Sequence, residues 1–264
     1  MIPFVKASGC GNDFLIIEES AYSGDRHALS IKLCDRTRGI GADGVEWISP
    51  GDPGESDVTA TLINADGSEA EISGNGTRCV AAYIASQDPR LRSVRVKTGA
   101  GVKICDLSSI NGASYGFATA MGPTWVDPLR PLKLEEEVLV EGRPVDLGNP
   151  HFVITGESLF GDWREMAQKI QAMTSEFPHG VNVEFAIVRD RRSVEAWFYE
   201  RGAGETRSSG TGSCAVAAAC RAAGFVDDVV DVIAPGGAQT VEFRGDDLIL
   251  RGNAELICRG EAWI

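Results

Sequence analysis

Two periodicities divide this chain. Alternation of apolar and polar residues predicts short strands at Phe4–Ala7, Phe14–Glu18, Val45–Ser49, Thr59–Asn64, Val94–Lys97, Gly101–Cys105 and Ala113–Thr119. Helical spacing predicts helices over His27–Asp35 and Asn75–Ser86, and the turn signals Ser8–Asp13 and Ala65-Asp-Gly-Ser68 punctuate the series. After Met121-Gly-Pro-Thr124 and the polar, proline-bearing stretch Asp127–Glu137, the scheme resumes. Strands are predicted at Glu136–Val140, Arg143–Leu147, Phe152–Ile154, Val181–Val188 and Ser193–Tyr199, with turns at Gly148–His151 and Pro178–Gly180. Helices follow at Asp162–Met173 and 212–223, and Gln239–Phe243, Asp247–Arg251 and Ala254–Cys258 close a small terminal sheet.

One local element occurs twice. Arg201-Gly-Ala-Gly-Glu-Thr-Arg-Ser-Ser-Gly-Thr-Gly-Ser-Cys214 runs into the small-residue segment Ala215–Ala223, and Ala70-Glu-Ile-Ser-Gly-Asn-Gly-Thr-Arg-Cys79 runs into Val80–Ala85. Each has a Ser-Gly-X-Gly core, at Ser73 and at Ser209, followed by a cysteine and an alanine-rich helix. A glycine-rich turn at a helix start directs several backbone N–H groups at one point, and a carboxylate is the natural occupant. Taken singly, either copy reads equally as an ordinary serine N-cap. Two copies, each in its own half of the chain, are most useful when both serve one substrate carboxylate across a cleft. The repeat is too long for a solenoid, so the expected fold is α+β with two pseudo-symmetric domains and mixed or antiparallel sheets.

Composition narrows the class. The 264 residues suffice for one large domain or two of half the length, and hydrophobic content is that of an ordinary globular chain. A net charge of -13 argues against nucleic acid as a partner. Seven cysteines without a CxxC pair, and three widely spaced histidines (His27, His151, His179), predict free thiols in a reducing compartment and no metal site. The start lacks the pattern of a signal peptide and no apolar run reaches membrane-spanning length, so a cytoplasmic location is expected, with no membrane partner.

Motifs along the whole chain give it a specific likeness: Gly9-Cys-Gly-Asn-Asp-Phe14, Arg38-Gly-Ile-Gly-Ala-Asp-Gly44, Asn64-Ala-Asp-Gly-Ser-Glu-Ala-Glu71, Gly74-Asn-Gly-Thr-Arg-Cys79, Met121-Gly-Pro123, Gly148-Asn-Pro-His151, Val181-Asn182 and Glu200-Arg-Gly-Ala-Gly-Glu-Thr206. With these the chain resembles the diaminopimelate epimerases. The resemblance implies two domains, each a sheet curled around a central helix: 1–120, completed by the C-terminal strand 254–264, and 121–253. It implies epimerisation of LL- to meso-diaminopimelate without pyridoxal phosphate, metal or other cofactor, with two thiols working on opposite faces of the alpha carbon. By motif, Asn12, Asn64, Asn149 and Asn182 hold the amino-acid heads of the substrate, and Glu200 and Arg201 engage its distal amine and carboxylate. Gly74 and Asn75, with Gly210 and Thr211, supply the backbone donors that cradle the reacting carboxylate. A homodimer and a role in lysine and cell-wall precursor synthesis are implied in the same way.

The departure falls on the catalytic positions. Where the family pattern has Cys-Gly-Asn-Gly and Cys-Gly-Thr-Gly, this chain has Ser73 and Ser209. A thiol near its ordinary pKa of about 8.5 is readily ionised at a helix N-terminus, whereas a serine hydroxyl has no comparably accessible anion. Cys79 and Cys214 lie a turn or more inside their helices and read as core residues, while Cys10 sits on a turn beside Asn12. Replacement at both positions with all neighbours intact reads as a Cys-to-Ser double variant with an impaired acid–base pair. Two alternatives stay open: a natural racemase or dehydratase acting on another amino acid, and a non-catalytic amino-acid-binding protein.

Overall fold

The computed structural model describes residues 1–134, 139–159, 161–245 and 247–263. The chain forms two compact units, Met1–Ala120 with Arg251–Ile264, and Met121–Leu250.

In the first unit, β1 (Ile2–Gly9) and β2 (Asn12–Glu18) make an antiparallel hairpin, and α1 (Arg26–Cys34) leads to β3 (Gly44–Pro50), which runs parallel to β2. Next come β4 (Val58–Asn64), antiparallel to β3, and the short β5 (Glu69–Ala70), followed by α2 (Gly74–Gln87). β6 (Ser93–Thr98) pairs parallel with β4, β7 (Gly101–Asn111) antiparallel with β6, and β8 (Ser114–Pro123) antiparallel with β7. A long final strand running from Asp247 to Ala262 joins both β8 and β1 and closes the circuit.

The second unit repeats this plan. β9 (Trp125–Val126) and β10 (Arg130–Lys133) flank β11 (Leu139–Asp146), which forms a hairpin with β12 (Pro150–Gly156). α3 (Trp163–Gln171) leads to β13 (Asn182–Asp190), parallel to β12; β14 (Ser193–Glu200) is antiparallel to β13, and β15 (Gly204–Thr206) is short. After α4 (Gly210–Ala222), β16 (Val229–Ala234) pairs parallel with β14, and β17 (Gly237–Arg244) antiparallel with β16. The final strand is β18 (Asp247–Ala262). Hairpin, crossover helix, parallel strand, antiparallel strand, enclosed helix and parallel strand thus occur in the same order in both units, the α+β pseudo-symmetry that the sequence repeat predicts.

The enclosed helices explain their own composition. A helix apolar on all sides must be buried all round. Cys79, Val80, Ala81, Ala82 and Ala85 of α2 pack in one core with residues from β1, β2, β3, β4, β6, β7, β8 and β18. Cys214 to Cys220 of α4 pack likewise against Val153, Ala186, Val194, Val232 and Val241. With sheet around them, these helix segments carry small side chains, and Arg78 of α2 is the large exception, fully buried. The other two helices lie on the outer faces: Leu29 and Leu33 of α1 cover Val45 and Trp47 of β3, and Trp163, Ala167 and Ile170 of α3 cover Val183 and Phe185 of β13. Alternation along a strand therefore sends Glu46 and Ile48 inward toward α2, and Glu184 and Ala186 inward toward α4.

Several boundaries differ from expectation. The two strands predicted around Gly142 are one, β11, and residues 136–138 of the first lie outside the described residues. His151 belongs to β12, not to the preceding turn, and β18 runs unbroken through Gly252-Asn253. β5, β9, β10, β15 and β16 are additional to the predicted set.

Gly142 is a strand residue because a side chain there would meet the Phe152 ring, 2.4 Å from the Cβ position. Gly142→Ala is expected to lower stability by about 1–3 kcal/mol, the cost of overpacking a filled site, measured as a reduced urea midpoint.

Candidate active site

Ser73 and Ser209 hold the same structural office. Each is extended, with φ and ψ of -122 and 121° for Ser73 and -139 and 131° for Ser209, and each is the N-cap of its enclosed helix. Ser73 Oγ accepts the Gly76 N–H at 3.0 Å, and Ser209 Oγ accepts the Gly212 N–H at 3.0 Å. Their carbonyls accept the next amides, from Thr77 at 2.8 Å and Ser213 at 3.0 Å. The glycine three residues on is closely packed in both. A Cβ on Gly76 would stand 2.0 Å from Glu46 Oε1, and one on Gly212 would stand 2.8 Å from the Phe198 ring and 2.9 Å from Ser209 Cβ.

Strand register aligns the two units residue by residue. Phe14 pairs with Gly44 and His151 with Asn182; Glu46 faces Leu62, and Glu184 faces Phe198. Asn12 and Asn149 each stand two residues before the Phe14 or His151 of that alignment, and Asn64 and Glu200 end the strands β4 and β14. Asn12 thus matches Asn149, Asn64 matches Glu200, and Ser73, Gly74 and Asn75 match Ser209, Gly210 and Thr211, whereas Asn182 and Arg201 match Gly44 and Ala65. Hydrogen bonds join Asn75 to Asn12 in the first unit and Arg201 to Asn182 in the second.

Hydrogen bonds fix these side chains in one orientation. In the first unit Arg78 donates to Asn75 Oδ1, Asn75 Nδ2 donates to Asn12 Oδ1 at 2.7 Å, and Asn12 Nδ2 donates to Asp43 Oδ2 at 3.0 Å. Because a guanidinium only donates and a carboxylate only accepts, the amide directions along this chain are determined. Asp43 also takes Arg36, which with Lys6 binds Asp13. Burial acts to raise the Asp13 pKa, but hydrogen bonds from Arg36 and Lys6 hold it below its ordinary value. Asn64 donates to Ser68 Oγ at 3.0 Å, across the turn that ends β4. In the second unit Asn182 donates to the Pro150 carbonyl at 3.0 Å and accepts the Arg201 N–H at 2.9 Å, while Arg201 Nη1 donates to the His179 carbonyl at 2.6 Å.

Next to the two helix starts lie two carboxyls that sequence reasoning missed, Glu46 and Glu184, the latter bonded to His151 of the Gly148–His151 motif. His151 is buried, with Nδ1 2.6 Å from Glu184 Oε1 and Nε2 3.0 Å from Asn149 Oδ1. Burial lifts the Glu184 carboxyl above its ordinary range, against the opposing pull of His151. At the register-equivalent place in the first unit stands Glu46, with apolar Phe14 where the second unit has His151. Burial alone pushes Glu46 up to about 8. The signal in the sequence was an acidic residue on the inward phase of an apolar strand, at Val45-Glu-Trp-Ile48 and Val183-Glu-Phe-Ala186. Cys79 and Cys214 are fully buried in the cores, and burial raises the Cys79 thiol far above its ordinary range. Cys10 sits on the β1–β2 turn at φ 50°. Among the described residues, no three His, Cys, Asp or Glu side chains group as metal ligands, and no helix is long and apolar enough to cross a membrane.

The sequence profile of the family described as Diaminopimelate epimerase matches residues 4–124 and 144–257. The chain belongs to the diaminopimelate epimerase family. Its class is therefore that of the isomerases acting as amino-acid racemases and epimerases. It is similar to diaminopimelate epimerase of Corynebacterium glutamicum, 38% identical with 100% of this chain and 99% of the relative covered. It is similar also to that of Clostridium perfringens, 36% identical with 97% and 98% covered. Among solved structures, a predicted epimerase from Pseudomonas aeruginosa superposes with a TM-score of 0.77 over 100% of both chains at 12% identity, a likeness of fold.

Two predictions follow from the caps and the wall. Ser73→Ala and Ser209→Ala each remove an N-cap acceptor from a buried helix start and are expected to cost about 1 kcal/mol of stability, read from denaturant unfolding. Glu46 is raised on folding, so its carboxyl stays protonated in the native state where the unfolded chain would ionise. Stability relative to Glu46→Gln is then undiminished below about 4.5 and falls as pH rises toward about 8. Glu46→Gln is therefore expected to raise the melting temperature at pH 8.5 by several degrees more than at pH 4.5, in paired calorimetric scans.

Proposed function

We propose that this chain binds diaminopimelate and acts at its alpha carbon, with a serine-capped helix start receiving the reacting carboxylate. The observation that carries this reading is the repeated cap: at Ser73 and Ser209 the same extended residue, the same bond to the third amide and the same closely packed glycine recur. A buried helix start of that kind favours an anion through its amides and dipole. Asn12, Asn64, Asn149 and Asn182 hold the ammonium and carboxylate groups of the ligand. Glu200 and Arg201 take its distal head, the guanidinium offering a fixed fork of donors.

Chemistry on such a ligand is removal and return of the alpha proton, with charge accumulating on the carboxylate held at the helix start. Serine stands at both positions where the family pattern has a thiol, so turnover is slow in the chain as it stands. The amino-acid class of the substrate accords with the family; diaminopimelate itself, a homodimer and a cytoplasmic location complete the proposal.

Calorimetric titration with LL- and meso-diaminopimelate is expected to show saturable binding. Ser73→Cys combined with Ser209→Cys is expected to raise epimerisation at least 100-fold, the scale of one well-placed acid–base group. A double variant that folds, binds and still fails to epimerise diaminopimelate would sink the assignment, and turnover of another amino acid by the unaltered chain would replace it.

A further inference from the structure

The structure holds one titratable group at the first helix start that the family motifs do not account for. Glu46 lies on the inner face of β3, opposite Ile16 of β2 and Leu62 of β4, both apolar members of the core around α2. Its carboxyl fills the space over Gly76, the residue whose amide Ser73 Oγ accepts. Glu46 Oε1 is 2.0 Å and Ser73 Cβ 3.2 Å from the same point, the Cβ position of Gly76. The carboxyl and the serine side chain therefore lie within about 5 Å, a span that a hydroxyl rotation or a single bridging water covers in proton transfer.

We propose that Glu46 is the proton-handling group of the first helix start and acts on the substrate alpha carbon through the Ser73 hydroxyl. In the forward step the alpha C–H bond breaks and its proton passes to Ser73 Oγ. The Ser73 O–H proton passes at the same time to the ionised Glu46, directly or through one water. The electron pair of the broken bond stays on the substrate and spreads into its carboxylate. In the reverse step protonated Glu46 returns a proton to Oγ as Oγ gives its own to the carbanion, so serine is neutral before and after. This deepens the diaminopimelate reading and rests on it.

Three observations agree with the assignment. Serine lacks an accessible anion, so the site needs a second group. Burial brings Glu46 to about 8, close to the ordinary thiol value of about 8.5, so the carboxyl supplies the acid strength that the missing thiol would have. The Ser73 hydroxyl is already oriented, since one lone pair takes the Gly76 amide. Arg78 and Cys79 of α2 are the titratable residues nearest to Gly76 along the chain, and the Cys79 thiol interacts electrostatically with Glu46, Cys10 and Asp13. Arg78 bonds Asn75, and the Cys79 thiol is held protonated by burial. In the second unit the equivalent carboxyl, Glu184, is bonded to His151 instead, so the relay belongs to the Ser73 side alone.

Alpha-hydrogen exchange of LL- and meso-diaminopimelate in deuterated water, followed by mass spectrometry across pH 6 to 10, tests this. The unaltered chain is expected to exchange above the solvent background, with an inflection near pH 8. Glu46→Gln, isosteric and uncharged, is expected to lose at least 100-fold and to lose the inflection, while circular dichroism and calorimetric affinity for diaminopimelate stay within about threefold. With Ser73→Cys in place the loss on Glu46→Gln should be at least tenfold smaller, because the thiol carries its own proton. Binding without exchange by the unaltered chain, or an unchanged rate and pH profile in Glu46→Gln, overturns the relay and leaves the substrate reading standing. Absence of diaminopimelate binding overturns both.

Discussion

The leading amides of a helix that starts inside a sheet-lined core need partners from the protein or from a ligand. That requirement governs the rest of the molecule. It places an oxygen-bearing N-cap at Ser73 and Ser209, where the hydroxyl takes the third amide of each helix. It favours glycine at 212, where the Phe198 ring and Ser209 Cβ leave no room for a Cβ, and at 76, where the Glu46 carboxyl occupies that space. From Cys79 to Ala82 in α2 and from Cys214 to Cys220 in α4 the buried residues are alanine, cysteine and valine only. The same turn, with its amides gathered in a low-dielectric setting, is what makes an anion site there, because a carboxylate completes a hydrogen-bonding scheme that burial leaves dependent on it.

Much of this was legible in the sequence, for identifiable reasons. The enclosed helices were readable because no amphipathic surface helix is so uniformly small, and the two caps because a Ser-Gly-X-Gly element before such a helix occurs twice. Errors clustered where glycine serves packing. Gly142 and Gly252 looked like strand breaks, yet one accommodates the Phe152 ring and the other the Arg78 guanidinium, whose Cζ is 3.0 Å from the Cβ position. β16 escaped notice because Val229 and Ile233 on its outer face are apolar and exposed, which blurs the alternation. Glu46 and Glu184 escaped notice for a different reason. A lone acidic residue in a strand ordinarily marks the solvent face, and only the register, with Val45 and Trp47 under α1, shows that Glu46 points inward.

The two units share a backbone plan but not a wall. Beneath Ser209 the wall is His151, Glu184 and Phe198; beneath Ser73 it is Phe14, Glu46 and Leu62. In the former, the imidazole spans Glu184 and Asn149, a chain that orients the Asn149 amide and keeps the carboxyl engaged. In the latter, the orienting task falls to a separate chain, Arg78 through Asn75 and Asn12 to Asp43, on the other side of the helix start. Glu46 is thereby released from positioning work. Pseudo-symmetry of fold coexists with a division of labour between carboxyls.

Capping and acidity place opposed demands on the residue at each helix start. Serine ranks among the preferred N-caps because its oxygen accepts a backbone amide at short range, and sulfur is a weak acceptor by comparison. A thiol in the same place trades cap strength for an ionisable proton. This chain has taken the other side of that trade twice, and its caps are geometrically complete. A protein whose cap oxygen holds the helix must keep its acid elsewhere, and the wall of the first unit contains a carboxyl whose burial sets it in the range the thiol would occupy. The separation of the two tasks, structure in the hydroxyl and acidity in the wall, follows from the chemistry of oxygen and sulfur at one buried amide.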